Sequence, residues 1–219
     1  MNILDILFPK RCVGCGRIGK YFCGRCRAKV LYIADNESIC PMCGRLGLDG
    51  MTHPVCRTRY GLDGLTSLFR YTGPIQSAVK AVKYRLVTDL ATEFVSLASV
   101  SQIPTLECLI PIPLHVSRLR VRGFNQAEVL GTLLAARLRI PVSIDILRRV
   151  KATAPQVRMK TKNERLGNMK NVFRAVETIQ NKNILLFDDV FTTGATMKAA
   201  ANVLKRAGAN RVWAVTMAR

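Results

Sequence analysis

Thirteen residues near the end of the chain constrain it most: Ile184-Leu-Leu-Phe-Asp-Asp-Val-Phe-Thr-Thr-Gly-Ala-Thr196. The apolar run Ile184–Phe187 predicts a short buried strand. Thr196–Ala207, stopped by Gly208, predicts a helix directly after it. A strand that feeds a helix through a tight turn delivers that turn to the C-terminal edge of an open α/β sheet, where such sheets bind ligands. Asp188 and Asp189 are expected in a loop at the strand's end, where they can accept hydrogen bonds from two neighbouring hydroxyls, such as those of a ribose. Thr192, Thr193, Gly194, Ala195 and Thr196 then bring backbone N–H groups and hydroxyls to a helix N-terminus, whose dipole favours an anion. Each feature is ordinary by itself, an acidic turn or a threonine-capped helix. In this order they suit a ribose 5-phosphate.

From Gly61 onward the chain alternates between strand and helix signals. Leu65–Tyr71, Leu106–Ile112, the alternating Val142, Ile144 and Ile146, and Val212–Met217 predict strands. Pro74–Tyr84, with Ile75, Ala78, Val79 and Val82 on one face, predicts a helix, as does Thr88–Ala98. Asn125, with Glu128 three residues on, caps a third helix reaching about Leu138. The alternation argues for an α/β fold, a parallel sheet with helices on both faces. The 219 residues allow one such domain of about 150 residues and a small appendage. The division is expected at about residue 60, giving a cysteine-rich region at 1–60 and the α/β domain at 61–219.

Seven of the eight cysteines lie before Arg57, arranged as Cys12-x2-Cys15 with Cys23-x2-Cys26, and Cys40-x2-Cys43 with His53-x2-Cys56. Each Cys-x-x-Cys turn presents two thiolates on one side of a knuckle, and two knuckles close a tetrahedron around Zn²⁺. Disulfides fit poorly with a chain expected in the cytoplasm, and a redox pair would sit at a strand–helix junction, which these do not. All four positions of each site are filled by protein, so the two zinc ions are expected to be structural. A segment with so few apolar side chains (one short strand, Val30–Ile33, is expected in it) needs the metal to fold. Cys108 falls in the apolar Leu106–Ile112 and reads as a small core residue.

Lysine and arginine number 34 against 14 acidic residues, a net charge of +20. Such an excess favours nucleic acid or phosphorylated small molecules and is equally met in solvated surfaces. It is concentrated from Ser117 to Arg174, with 14 basic and 3 acidic residues. Arg118, Arg120 and Arg122 alternate and, in an extended loop, all face one way. They suit a pyrophosphate, a nucleic-acid backbone or plain solvation. Arg17, Lys20, Arg25, Arg27 and Lys29 make the first knuckle pair basic, for a nucleic-acid backbone or for solubility. No apolar run reaches the roughly 18 residues of a membrane span. The first nine residues lack the basic start and cleavage site of a signal peptide, so a cytoplasmic location is expected.

The run from Ile184 to Thr196 resembles the phosphoribosyl pyrophosphate (PRPP) motif of the type I phosphoribosyltransferases. With the cysteine pairs, Ile110-Pro-Ile-Pro-Leu-His115, the run Arg118–Ala127, and Gln156, Glu164, Arg165 and Asn168, nearly the whole chain resembles the ComF family. That family joins zinc modules, here zinc-ribbon-like, to a type I phosphoribosyltransferase-like domain. The resemblance implies that Asp188 and Asp189 hold the ribose, and that Thr192 to Thr196 hold the 5′-phosphate. It places Arg118, Arg120, Arg122 and Arg165 near the pyrophosphate or DNA, and implies that Lys151–Lys170 is a basic loop closing over PRPP with its Mg²⁺. It further implies natural transformation, with binding of single-stranded DNA during DNA uptake and a helicase-like competence partner. The fold often pairs as a homodimer. The other reading is an active phosphoribosyltransferase acting on an unidentified acceptor. Lys80, Lys83, Tyr84 and Arg85 are its candidate acceptor residues by polarity and position, or simply a solvated helix face. No catalytic residue is assigned.

Overall fold

The computed structural model describes residues 9–84, 88–151 and 171–219. Four strands form one parallel sheet in the order β1 (Gly64–Phe69), β6 (Arg211–Ala218), β5 (Asn183–Val190), β2 (Cys108–Pro111). A short antiparallel pair, β3 (Leu147–Arg149) and β4 (Phe173–Ala175), lies outside that sheet. The helices are α1 (Gly24–Arg27), α2 (Gly73–Tyr84), α3 (Thr88–Ser96), α4 (Val116–Arg122), α5 (Gln126–Leu138) and α6 (Ala195–Arg206).

Side chains alternate across a strand, and here the alternation separates two cores. Leu109, Leu185, Phe187, Trp213 and Val215 enter the cluster formed with α2, α3 and α5. Their neighbours Cys108, Ile110, Ile184, Leu186, Val212 and Ala214 enter the cluster formed with α6 and the β3–β4 pair. Helices therefore cover both faces, the expected arrangement for strands apolar on both sides. Cys108 is 4% exposed, a core residue as its sequence neighbours indicate.

The first cysteine-rich segment packs on the face of α2, α3 and α5, and the second reaches both faces, through Met51 on that side and Ile39 and Met42 on the other. Phe22 stacks on Phe94 at 6.0 Å, and Phe94 on Phe69 at 5.8 Å. The Tyr21 and Phe22 amides donate to the Glu93 carboxylate at 3.2 and 2.9 Å, fixing the first segment to α3. Ile39 and Met42 of the second segment pack on the α6 side. Met51 bridges Gly64, and the Thr52 hydroxyl donates to the Leu62 carbonyl at 2.6 Å.

Several expectations need correction. Val30–Ile33 forms a single bridge, Tyr32 to Phe69, rather than a strand. Of Val142, Ile144 and Ile146, only Val142 makes a bridge, to Leu109, and the strand begins at Leu147. β5 runs on to Val190, so the acid pair belongs to the strand and not to a loop. The arginine run is a helix. The His115 ring accepts from the Ser117 amide at 3.2 Å, and Gly123, at φ +77°, ends the helix. The alternation of valine, leucine and arginine mimicked an extended segment, and histidine is not among the favoured N-caps.

Gly64 lies across the sheet from Trp213, and a Cβ there would fall 2.2 Å from the indole ring. Gly64→Ala is expected to cost about 1–3 kcal/mol by overpacking, read from urea unfolding followed by Trp213 fluorescence. Gly24→Ala, which meets open space, is expected to stay within about 0.5 kcal/mol. Equal midpoints for the two variants would contradict the close approach.

Candidate functional site

The ligand atoms of Cys12, Cys15, Cys23 and Cys26 lie within 4.8 Å of one another, as do those of Cys40, Cys43, His53 and Cys56. Cys15 and Cys23 Sγ are 3.6 Å apart, and Cys43 Sγ is 3.4 Å from His53 Nδ1. A tetrahedron with Zn–S bonds of about 2.3 Å has edges of about 3.8 Å. The cysteines are free thiols. Burial raises the Cys12 thiol, but the amides of Cys23, Gly14 and Cys15 outweigh it and bring it down to about 6. Burial and the neighbouring sulfurs push Cys26 up to about 12. The second set divides the same way, Cys40 brought down to about 7 by amide donors against its burial and Cys56 pushed up to about 11 by burial and its neighbours. Thiols this close resist ionising together, and a dication removes that resistance. The His53 Nε2 lies 2.8 Å from the Leu46 carbonyl. A proton donated there leaves the Nδ1 lone pair for a metal, the usual outer support of a ligating histidine. Both clusters fit structural Zn²⁺.

A cleft of about 610 Å³ opens at the C-terminal ends of β2 and β5. α5 covers one face of these strands and α6 the other, so the chain leaves them in opposite directions and a crevice remains between. Asp188 and Asp189 line it from β5. Being adjacent in a strand, they turn to opposite faces. Asp189 is buried and meets Lys83 of α2, with Nζ 2.9 Å from Oδ2. Asp188 follows Ile184 and Leu186 toward α6, and its Oδ1 accepts from the Asp189 amide at 2.9 Å. Gly194 makes the turn into α6 at φ +71°, and a Cβ there would strike the Phe191 ring at 2.5 Å. Thr192, Gly194, Ala195 and Thr196 line the cleft. Thr193 does not; its hydroxyl accepts from the Ala195 amide at 3.4 Å.

Cations face the acids. On the helix α4, Arg118 and Arg122 are four residues apart and share the face that lines the cleft. Arg120, two residues from each, is not among the lining residues. Arg122 Nη1 donates to Gln126 at 2.8 Å. Arg149 of β3 completes the group, and Arg165 lies outside the described residues. Burial lowers the Arg149 guanidinium to about 10, Arg118 adding to the effect and Asp188 opposing it. Burial, then Arg122, lowers Arg118 as well. Burial and the Asp189 charge push the Asp188 carboxyl well above its ordinary range. Lys83 is raised despite its burial, because Asp189 holds its proton. The arrangement sets half-buried, mutually repelling cations opposite hydrogen-bond acceptors, over a helix N-terminus. It can hold a polyanion carrying hydroxyls.

Sequence reasoning did not single out Arg149. Its signal was the alternation of β3, in which Leu147 is buried and Arg148 exposed, so that Arg149 turns back inward. Lys83 entered only as one of four polar candidates. Lys80 is exposed, and Arg85 is outside the described residues.

Two metal ions per chain are expected by elemental analysis. His53→Ala is expected to hold one, with the first cluster retained. Two ions in that variant would remove His53 from the ligand set.

Residues 3–58 match the model of the double zinc ribbon domain, and residues 125–219 that of the phosphoribosyl transferase domain. Competence protein ComFC of Bacillus subtilis is 30% identical over 201 residues, 85% of this chain and 78% of that protein. Competence protein F of Haemophilus influenzae is 27% identical over 221 residues, 95% and 90% of the two chains. DNA utilization protein YhgH of Salmonella typhi is 29% identical over 199 residues, 86% and 87%. Among the described residues no helix is long and apolar enough to cross a membrane. With two four-ligand clusters ahead of a parallel-sheet phosphoribosyltransferase-like domain, and with relatives matched over most of both lengths, the chain belongs to the ComF family.

Proposed function

We propose that the chain binds a phosphoribosyl ligand, PRPP with Mg²⁺, in the cleft between β2 and β5, and that it serves the handling of single-stranded DNA during uptake. The observation that carries the first half is the opposition across one crevice of Asp188 and Asp189 to Arg118, Arg122 and Arg149, above the Gly194 turn. Ribose hydroxyls would donate to the acids, the 5′-phosphate would meet the N-terminus of α6, and the arginines would face the pyrophosphate. With Asp189 held by Lys83 and Asp188 resisting ionisation, the carboxylates offer a bare cation little. Mg²⁺ would arrive on the pyrophosphate.

The names of the relatives, competence and DNA utilization proteins, support the second half. So does the +20 charge, with Arg17, Arg25 and Lys29 lining a second cleft of about 660 Å³ beside the first zinc cluster. Aromatic residues are 6% of the chain, so contact with the phosphates would dominate over base stacking. A cytoplasmic location, a helicase-like partner and a homodimer belong to the same reading.

Thermal unfolding with and without PRPP and Mg²⁺ tests the pocket. Ligand at 100 times its Kd adds about 2.7 kcal/mol, roughly 5–10 °C for a chain of this size. Asp188→Asn is expected to lose that shift and yet to unfold later than the parent when both are unliganded. The sign follows from the raised carboxyl: its folded-state pKa exceeds the unfolded one, so its contribution is favourable in acid and is lost as pH rises through the folded value. At neutral pH the neutral amide is therefore the more stable, by on the order of 1 kcal/mol. No shift in the parent sinks the ligand, and an undiminished shift in Asp188→Asn removes that residue from the site.

Affinity for an oligonucleotide single strand is expected to fall about 100-fold or more between about 50 and 200 mM salt, as for six phosphate contacts. Binding that is flat over this range would refute a phosphate-dominated mode.

A further inference from the structure

Lys198 ties the second zinc cluster to the turn that borders the cleft. Lys198 stands in the first turn of α6, immediately behind the Gly194 turn. Its backbone N–H donates to the Gly194 carbonyl at 2.8 Å. Its Nζ donates to the Met42 carbonyl at 3.0 Å, across 156 positions of sequence. Met42 lies inside the knuckle, between Cys40 and Cys43, and its side chain packs on the core cluster that contains Met197 and Ala201. The knuckle is itself a tight turn, the Gly44 amide donating to the Cys40 carbonyl at 2.9 Å and the Cys40 amide to the Arg45 carbonyl at 2.9 Å. A metal on Cys40 and Cys43 fixes that turn and therefore the position of the Met42 carbonyl. The first cluster has its contacts on the other face, with Glu93 of α3 and beside Pro74 of α2.

We propose that Lys198 is a positioning residue joining the second zinc knuckle to the anion-binding turn, so that Zn²⁺ held by Cys40, Cys43, His53 and Cys56 sets the shape of residues 194–198. The coupling runs both ways. Metal in the second cluster favours anion binding at the N-terminus of α6, and an anion there raises the affinity for that metal by the same factor. The anion half rests on the phosphoribosyl reading above; the mechanical half does not. The cluster is then part of the cleft's scaffold as well as of its own module, and the metal in the first cluster carries no such influence.

Lys198→Met keeps the length and the apolar stem of the side chain and removes the ammonium. Zinc release to 4-(2-pyridylazo)resorcinol from the full chain, with the phase absent in His53→Ala assigned to the second cluster, reads the first half. That phase is expected to quicken about fivefold in Lys198→Met, the scale of one lost hydrogen bond, while the other phase stays put. Amide hydrogen exchange over residues 194–198 is expected to rise in zinc-loaded Lys198→Met, and in the parent on chelation. Unchanged release together with unchanged exchange overturns the proposal, and so does equal acceleration of both phases, which would mark a general loss of stability. Ribose 5-phosphate is expected to slow the second phase in the parent and not in Lys198→Met. If release and exchange respond to the substitution but ribose 5-phosphate does nothing to the parent, the coupling stands and the phosphoribosyl reading of the cleft falls.

Discussion

Alternation along β5 decides what the rest of the molecule can be. Ile184 and Leu186 go to one face, Leu185 and Phe187 to the other, and each set is buried by different helices. The same alternation carries past the apolar residues into the acid pair. Asp189 inherits the face of α2 and meets Lys83, while Asp188 inherits the face of α6 and the arginine of β3. Had the strand ended at Phe187, both carboxylates would have been loop residues. Because the ladder with β6 continues to Val190, they are held at the end of the sheet, one paired with a lysine and the other's carboxyl raised by burial and by the Asp189 charge. The binding chemistry of the cleft is in this sense a property of strand length.

The two metal clusters repeat that division at larger scale. One is fixed to the face of α2 and α3 through Glu93 and the stack of Phe22 on Phe94, and the other to the face of α6 through Met42 and Lys198. A cysteine-rich segment with little core of its own gains stability by lending apolar residues to a neighbouring core. Here the segment straddles the sheet and lends to both.

Much of this was legible beforehand. The helix of α5 and its Asn125 cap, the turn after β5, the two metal clusters and the parallel sheet followed from periodicity, capping residues and ligand spacing, because each depends on neighbours within one or two turns of chain. What escaped depends on distance. Lys83 reaches Asp189 from more than one hundred positions away, and nothing local to either announces the pair. The α4 arginines escaped for the opposite reason. Their local pattern was clear but ambiguous, since a run that alternates every second residue also reads as extended chain, and only the His115 cap and Gly123 stop resolve it. His53 needed the Leu46 carbonyl, on the other side of a loop, to fix which nitrogen it presents.

The strand order has a further consequence, for how the chain is made. β6 lies between β1 and β5, yet of the four strands it is the last in sequence. A ribosome therefore releases β1, β2 and β5 before the strand that joins them exists. Until β6 arrives, β1 and β5 each present an unpaired edge, and no hydrogen-bonded ladder joins the sheet's two halves. Edges of that kind invite pairing with other chains. The knuckles, complete within the first 56 residues, can bind metal long before then. The sheet therefore waits on β6, the last of its strands to be made, after the metal-binding part can already be folded.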